Sequence, residues 1–122
     1  MDWDVSFHPA FDSEFDALSN DVQDELLAQA TLIATFGPFI GRPRVDTLNG
    51  SQHANMKELR FRACGGVWRV AFAFDTERKA VLLAAGDKSD IDERRFYKLL
   101  IRKADRRFNM ELEQLQNSRR SR

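Results

Sequence analysis

Hydrophobic and polar residues alternate through the middle of the chain, as they do in strands with two unlike faces. The alternation predicts three antiparallel strands at about 57–63, 67–74 and 80–86. A Gly65-Gly66 turn joins the first two strands. The third strand is apolar on both faces, so we expect it to be central in the sheet.

The N-terminal part of the chain predicts a short strand followed by two helices. Apolar and polar residues alternate over 3–7, which is typical of a strand with one buried face. Pro9 suits the first turn of a helix, and the pair Ser19-Asn20 ends that helix and caps the next. Gly37-Pro38 ends the second helix. Apolar stripes on both helices indicate a packed helical hairpin.

The remaining segments complete a single α+β domain. A short strand is predicted at 45–48, and a cap at Ser89 or Asp90 is predicted to start a long final helix. We therefore expect a helical hairpin on a twisted antiparallel sheet of about 4–5 strands, plus the long C-terminal helix. The domain is expected to span residues 1–116, with a frayed tail at 117–122.

Charge is unevenly distributed along a chain whose formal net charge is zero. Residues 1–41 contain eight acidic residues and no Lys or Arg, whereas residues 42–122 contain all 19 Lys and Arg beside 11 acidic residues. The two segments therefore carry −8 and +8. Such asymmetry is typical of nucleic-acid contact on the basic side, although two halves that neutralise each other give the same count.

Sequence signals for several other classes of function are missing. The single cysteine, Cys64, leaves no internal disulfide, and the distant pair His8 and His53 gives no zinc spacing. The chain has no P-loop, no dinucleotide fingerprint and no apolar run long enough to span a membrane. Its acidic start is unlike a signal peptide. We expect a cytoplasmic protein that needs no metal or cofactor.

The positively charged residues of the predicted sheet are the candidate functional residues. Glu58, Arg60 and Arg62 share one face of their strand, and Arg69 lies among small residues on the next. An open face of this kind would suit a polyanion, because a guanidinium group binds phosphate through two parallel hydrogen bonds. A solvated outer face, with Glu58 paired to an arginine, is the structural alternative.

Three further polar residues flank these strands. Lys57 begins the first of them, Lys88 follows the last, and His53 lies in the preceding loop. The two lysines would hold neighbouring phosphates as point charges. His53 would reach a bound ligand, with a solvated loop position as the alternative.

Three segments of the chain, KELRFRACGGVWRVAFAFD, AVLLAAGDKSD and RRFYKLLIRKADRRF, resemble the phage-derived HigB-like toxins of the RelE/ParE superfamily. The resemblance extends from about Trp3 to Phe108. It implies a toxin of a type II toxin–antitoxin pair that cuts messenger RNA on the ribosome without a metal. We expect a helix-turn-helix antitoxin as its partner, received by the acidic N-terminal hairpin.

A mechanism consistent with the resemblance suggests roles for individual residues. Arg62 and Arg69 would stabilise charge on the reacting phosphate, and Glu58 would take the proton of an RNA 2′-OH. Lys88 or Tyr97 would protonate the leaving oxygen. The candidate catalytic residues are thus Arg62, Arg69, Glu58, Lys88 and Tyr97, and the candidate RNA-binding residues are Lys57, Arg60 and His53.

The chain departs from the family's pattern at two points. It has no histidine near the end of the sheet, where some HigB relatives have one, and Glu58 stands where the RelE pattern has a lysine. Two other functions remain open: a gyrase-inhibiting toxin of the ParE branch, and a catalytically weak interaction module. The full basic set favours the nuclease, whereas the zero net charge slightly favours the module.

Overall fold

The computed structural model describes residues 2–120 and contains one five-stranded sheet, in the order β1-β5-β4-β3-β2. The strands are β1 Asp4–Phe7, β2 Val45–Thr47, β3 Met56–Ala63, β4 Gly66–Phe74 and β5 Lys79–Asp87. Strands β2 to β5 pair antiparallel, as predicted, whereas β1 pairs parallel to β5. The sheet is therefore mixed, and the expectation of a purely antiparallel sheet was wrong at this edge. Alternation within β1 indicates a buried face but carries no information about which strand lies beside it.

Two helices connect β1 to β2, and one follows β5. They are α1 Pro9–Asp16, α2 Asn20–Phe36 and α3 Glu93–Arg120, with a short 3₁₀ turn at Gly37–Phe39. The predicted helix boundaries of the hairpin are confirmed by its caps. The Nδ1 atom of His8 accepts a hydrogen bond from the Ala10 N–H at 3.1 Å, and Ser19 Oγ accepts one from the Val22 N–H at 3.4 Å.

Gly37 is required where α2 ends. Its φ of +55° lies in the left-handed region, which favours glycine. A Cβ atom at this position would approach the Trp3 indole Nε1 to 2.3 Å. The end of α2 is therefore fixed by its backbone conformation and by the Trp3 indole ring, which packs closely against Gly37.

The helices pack on opposite faces of the sheet and enclose two apolar cores. Helices α1 and α2 cover the face that carries Leu59, Val70 and Phe72. Helix α3 covers the face that carries Ala71, Ala73 and Ala84, which are all fully buried. We expected the small residues of this second face to leave room for a polyanion. That expectation was wrong for most of the face, because Phe96, Leu100 and Ala104 of α3 fill the space.

A buried ion pair ties α1 to α3. The two terminal nitrogens of Arg107 donate to the two carboxylate oxygens of Glu14 at 2.8 Å, and one of them also donates to the Leu83 carbonyl at 2.7 Å. The Arg107 side chain is 7% exposed and that of Glu14 is 39% exposed. The pair spans the sheet edge, and it fixes the helices of opposite faces relative to each other.

The start of α3 differs from the prediction. Asp92 is the cap, because its Oδ2 accepts a hydrogen bond from the Arg95 N–H at 3.0 Å and its carbonyl accepts one from the Phe96 N–H at 2.9 Å. Ser89 instead donates to Asp87 Oδ1 at 2.7 Å. The predicted caps were wrong because Ser89, Asp90 and Asp92 are all residue types that cap helices. Ser89 is used in the turn with Asp87, and Asp92 caps the helix.

The far end of α3 also runs further than expected. The helix continues to Arg120, four residues into the segment predicted as a tail, and 121–122 lie outside the described residues. The Arg119 guanidinium donates to Thr76 Oγ1 at 3.0 Å and lies 3.9 Å from the Glu77 carboxylate. Contacts with the β4–β5 loop thus support the last turn. Within residues 2–120, no helix combines the length and the hydropathy needed to cross a bilayer.

Candidate active site

The register of the β3–β4 hairpin brings two arginines and one carboxylate together. Arg60 pairs directly with Arg69 across the two strands, and Glu58 lies on the same face two residues before Arg60. The Nε atom of Arg60 is 3.0 Å from Glu58 Oε1, and the Nε atom of Arg69 is 3.3 Å from the same oxygen. Two cations predicted from alternation therefore share one acidic partner.

Helix α3 adds a phenol to this group. The Tyr97 hydroxyl donates to Glu58 Oε1 at 3.0 Å and accepts a hydrogen bond from Arg69 Nε at 3.2 Å. We call Glu58, Arg60, Arg69 and Tyr97 the Glu58 cluster. One carboxylate oxygen thus holds three donors from three elements, and the side chains lose much of their freedom to move.

Burial and charge set the protonation of the cluster. The side chain of Glu58 is 5% exposed and that of Arg69 is 14% exposed. Burial raises the pKa of Tyr97, the negative charge of Glu58 adds to the rise, and the hydrogen bond from Arg69 opposes it. The hydrogen bond to Glu58 raises the pKa of Arg60. At neutral pH the Tyr97 phenol therefore keeps its proton and the Arg60 guanidinium keeps its charge.

A cavity of about 440 Å³ lies beside the cluster; five arginines line it, together with Glu25 and other residues. We call it the arginine-lined cavity. Arg60, Arg62 and Arg69 reach it from the sheet, and Arg42 and Arg44 reach it from the connector before β2. The side chains of Arg44 and Arg62 have no ion pair or hydrogen bond within residues 2–120. The cavity therefore offers fixed positive groups and two that are free to bind an anion.

Sequence reasoning missed Arg42 and Arg44 as site residues. They lie in a connector, which has no periodicity that assigns a side chain to a face. Arg42 is held by Asp46, at 3.1 Å from its Nε atom, and Asp46 also lies 3.4 Å from the Arg60 guanidinium. The cation–Pro–cation run was the available signal, but only the fold brings it next to β3.

A second cavity, of about 370 Å³, lies on the other side of the cluster. Glu58, Arg60 and Tyr97 line it together with Glu93 and the loop residues 47–49. Within the part of the chain that the structure describes, Glu58 Oε2 accepts no hydrogen bond, in contrast to Oε1. One carboxylate oxygen thus organises the cations while the other is available to a ligand.

Lys88 stands at the edge of this arrangement. Its Nζ atom donates to Glu93 Oε1 at 2.6 Å and lies 5.6 Å from the centroid of the Tyr97 ring. The hydrogen bond from Lys88 lowers the pKa of Glu93. The predicted basic residue after the last strand is therefore close to the cluster, although a carboxylate holds it.

Two of the sequence-predicted residues are not brought to the cluster. Lys57 has the parity of Leu59, so it lies on the opposite face of β3, where its Nζ atom is 3.4 Å from Thr47 Oγ1. The His53 Nε2 atom is 2.9 Å from the Asn109 side-chain oxygen, and its ring packs on Phe108. Phe108 follows Tyr97 by three helical turns, which corresponds to ~16 Å along α3.

The chain matches one protein family over most of its length. The family model of phage-derived Gp49-like proteins matches residues 13–109. Two relatives from Mycobacterium tuberculosis are named as candidate toxins. HigB3 is 40% identical over 99 residues, which cover 81% of this chain and 84% of that protein. HigB2 is 37% identical over 103 residues, which cover 84% of this chain and 51% of that protein. The chain thus spans about half of the second relative.

Solved structures with a similar fold share little sequence with the chain. A mutant of the toxin RelE from E. coli, in the free state, superposes with a TM-score of 0.58 at 15% identity, covering 84% of this chain and 97% of that one. The RelE–RelB complex from the archaeon Pyrococcus horikoshii gives a TM-score of 0.51 at 16% identity, covering 75% of this chain and 100% of the matched chain. The predicted α+β fold is thereby confirmed.

Proposed function

The chain belongs to the phage-derived Gp49-like family and is 40% identical to the relative HigB3, and we propose on this premise that it is the toxin of a type II toxin–antitoxin pair. We propose further that it cuts messenger RNA on the ribosome, by attack of an RNA 2′-OH on the adjacent phosphate. The attack forms a bond from O2′ to phosphorus and breaks the bond from phosphorus to O5′. The products are a 2′,3′-cyclic phosphate and a 5′-OH end.

The observation that carries this proposal is the Glu58 cluster beside the arginine-lined cavity. Negative charge grows on the phosphoryl oxygens in the transition state, and cations held in place beforehand stabilise it without reorganising. Arg69 is held by Glu58 and Tyr97, at 3.3 and 3.2 Å from its Nε atom. Arg62 is exposed and unpaired among residues 2–120, so it is free to close on the phosphate.

Proton transfer in this proposal uses the Glu58 carboxylate as the base and the Tyr97 phenol as the acid. Glu58 Oε2 takes the proton of the 2′-OH, because Oε1 already accepts hydrogen bonds from Arg60 and Tyr97 and lies 3.3 Å from Arg69 Nε. Tyr97 gives its proton to the leaving O5′, since burial raises its pKa and keeps it protonated at neutral pH. The carboxyl group of Glu58, whose Oε1 lies 3.0 Å from the Tyr97 oxygen, then returns a proton to the phenolate and resets the site. Lys88 binds a flanking phosphate.

The antitoxin is the second partner that we propose. One solved relative, the archaeal RelE, is in complex with RelB. In this chain the exposed side of the α1–α2 hairpin carries four carboxylates that have no ion pair within residues 2–120, namely Asp12, Asp16, Asp21 and Asp24. Leu27 and Phe36 are exposed on α2, at 47% and 53%. This acidic, partly apolar surface suits the basic surface of a helix-turn-helix antitoxin.

An assay in a translating extract tests the nuclease proposal. Messenger-RNA 5′ ends are mapped after adding the wild-type chain, Arg62→Ala or Arg120→Ala. Arg62 is exposed and unpaired, so its removal leaves the fold intact; Arg120 is an equally exposed arginine at the far end of α3. We expect codon-aligned cuts that Arg62→Ala reduces by roughly 10²–10³, as the loss of an oxyanion-hole donor does. Arg120→Ala should cut like the wild type.

The same experiment separates the alternative functions. Intact transcripts together with blocked DNA supercoiling would replace the nuclease by a gyrase inhibitor of the ParE kind. Intact transcripts with normal supercoiling would leave an interaction module. DNA of the same sequence should remain uncut in every case, because deoxyribose has no 2′-OH to attack the phosphate.

A further inference from the structure

A row of cations runs along the outer face of α3. Arg94, Lys98, Arg102 and Arg106 are spaced by four residues, so they stack on one side of the helix and extend ~18 Å along it. All four side chains are exposed. We call these four residues the basic row.

The basic row is not neutralised by the chain itself. None of its four side chains has an ion pair or a hydrogen bond within residues 2–120. The acidic residues of this stretch of α3 are used elsewhere: Asp92 caps the helix, Glu93 holds Lys88, and Asp105 accepts hydrogen bonds from Ser51 and Gln52. Like charges four residues apart destabilise a helix, so the row opposes folding and a bound polyanion would relieve that repulsion.

The surface around the row is open and lies at the same end of α3 as the Glu58 cluster. A groove of about 530 Å³ is lined by the first three members of the row, together with Arg95, Leu99 and the capping residue Asp92. The row begins at Arg94, three residues before Tyr97 in sequence, at the end of α3 that meets the cluster. A ligand strand that leaves the cluster can therefore follow the row along the helix.

We propose that the basic row binds the sugar–phosphate backbone of RNA and anchors the chain on ribosomal RNA. The proposal rests on the ribosome-dependent function proposed above. A straight row of cations recognises the charge of the phosphate backbone and not the identity of the bases. Proteins that bind double-stranded RNA by its shape do the same. The acidic surface of α1 and α2 lies on the other side of the sheet, so the row faces RNA without repulsion from that surface.

Two double variants with the same charge change test the row. Lys98→Gln/Arg102→Gln removes its centre, and Arg119→Gln/Arg120→Gln removes two exposed cations from the last turn of the same helix. Binding to a 16-base-pair RNA duplex and to vacant 70S ribosomes is measured between 50 and 200 mM salt. Each phosphate contact contributes roughly 0.7–0.9 to the slope of log K against log salt. We expect the row variant to lose about 1.4–1.8 of that slope, and the control to keep it.

Cutting kinetics show which proposal has failed when a result is negative. In the row variant, the ribosome concentration for half-maximal cutting should rise while the rate on saturating ribosomes stays within about twofold, because the row binds and does not react. If the row variant binds RNA and ribosomes like the control, the row proposal is wrong even when Arg62→Ala abolishes cutting. If it binds RNA normally but loses a purified antitoxin, the row is a protein surface. If the wild type binds ribosomes through the row but cuts no RNA, the nuclease proposal is wrong and the row proposal stands.

Discussion

Replacing Tyr97 with Phe removes one oxygen atom from the centre of the Glu58 cluster and keeps the ring. The lost hydroxyl donates to Glu58 at 3.0 Å and accepts from Arg69 at 3.2 Å. A hydrogen bond to a charged group contributes ~1.5–3 kcal/mol to stability. Glu58 keeps Arg60 and Arg69 as partners, so we expect the lower end of that range, about 1.5 kcal/mol, which lowers Tm by about 5 °C.

The expected effect on the reaction is much larger than the effect on stability. A positioned general acid contributes roughly 10²–10⁴ in rate, and phenylalanine has no proton to give to the leaving O5′. We therefore expect Tyr97→Phe to bind vacant ribosomes like the wild type and to cut messenger RNA at least ~100-fold more slowly. Cutting is followed by primer extension at fixed times, and stability by urea unfolding of the same preparations.

Ile101→Val is the matched control for Tyr97→Phe. Ile101 is half-buried on α3, packs against the core beneath the helix, and is one turn past Tyr97. Losing its methylene costs ~0.5–1.5 kcal/mol, which resembles the cost expected for Tyr97→Phe. A comparable loss of cutting in both variants would assign the effect to stability. A Tyr97→Phe protein that cuts within threefold of the wild type would refute the role of the phenol as acid.

The remaining predictions concern protonation. Tyr97 is the only tyrosine in the sequence, so the absorbance of its phenolate titrates a single group; its pKa should lie above the ordinary value, and Glu58→Gln should lower it by removing the neighbouring negative charge. The hydrogen bond from Arg107 lowers the pKa of Glu14, so the pair stabilises the fold above the ordinary carboxyl pKa of about 4.3, and this stability is lost as pH falls through the lowered value. Glu14→Gln should cost ~1–2 kcal/mol at pH 7, less than the ~3–5 kcal/mol of a fully buried pair because solvent screens Glu14, and the difference in urea unfolding between the two proteins should shrink below about pH 4.3.

Local patterns determined most of the sheet and half of the site. A turn at Gly65-Gly66, as predicted, would place Arg62 opposite Arg69; the observed turn is Cys64-Gly65, which places Arg60 there instead. Glu58 follows from the same alternation. The family resemblance seen in the sequence is confirmed, and it was the only signal for Tyr97, because contact between a helix and a strand depends on how the two elements cross.

The missed features have a common cause. Lys57 was grouped with the basic set although its parity assigns it to the other face, so closer attention to alternation would have separated it. Arg44 and His53 lie in segments without periodicity, and only tertiary contacts decide where they point. The parallel position of β1 also depends on packing of distant segments. Sequence patterns thus predicted well which face of a strand each side chain lies on, but they did not predict which element packs on that face.

Zero net charge does not argue against binding to RNA, because the charges of this chain are separated in space. The exposed acids of α1 and α2 lie on one side of the sheet, and the basic row lies on the outer surface of the helix on the other side. Interactions between exposed charges weaken beyond the Debye length of ~8 Å at physiological salt, so a bound phosphate responds most strongly to the charges nearest to it. A phosphate near the row therefore experiences mainly the row. The same separation lets the acidic surface attract a basic antitoxin, so the two partners that we propose can bind opposite sides of one neutral molecule.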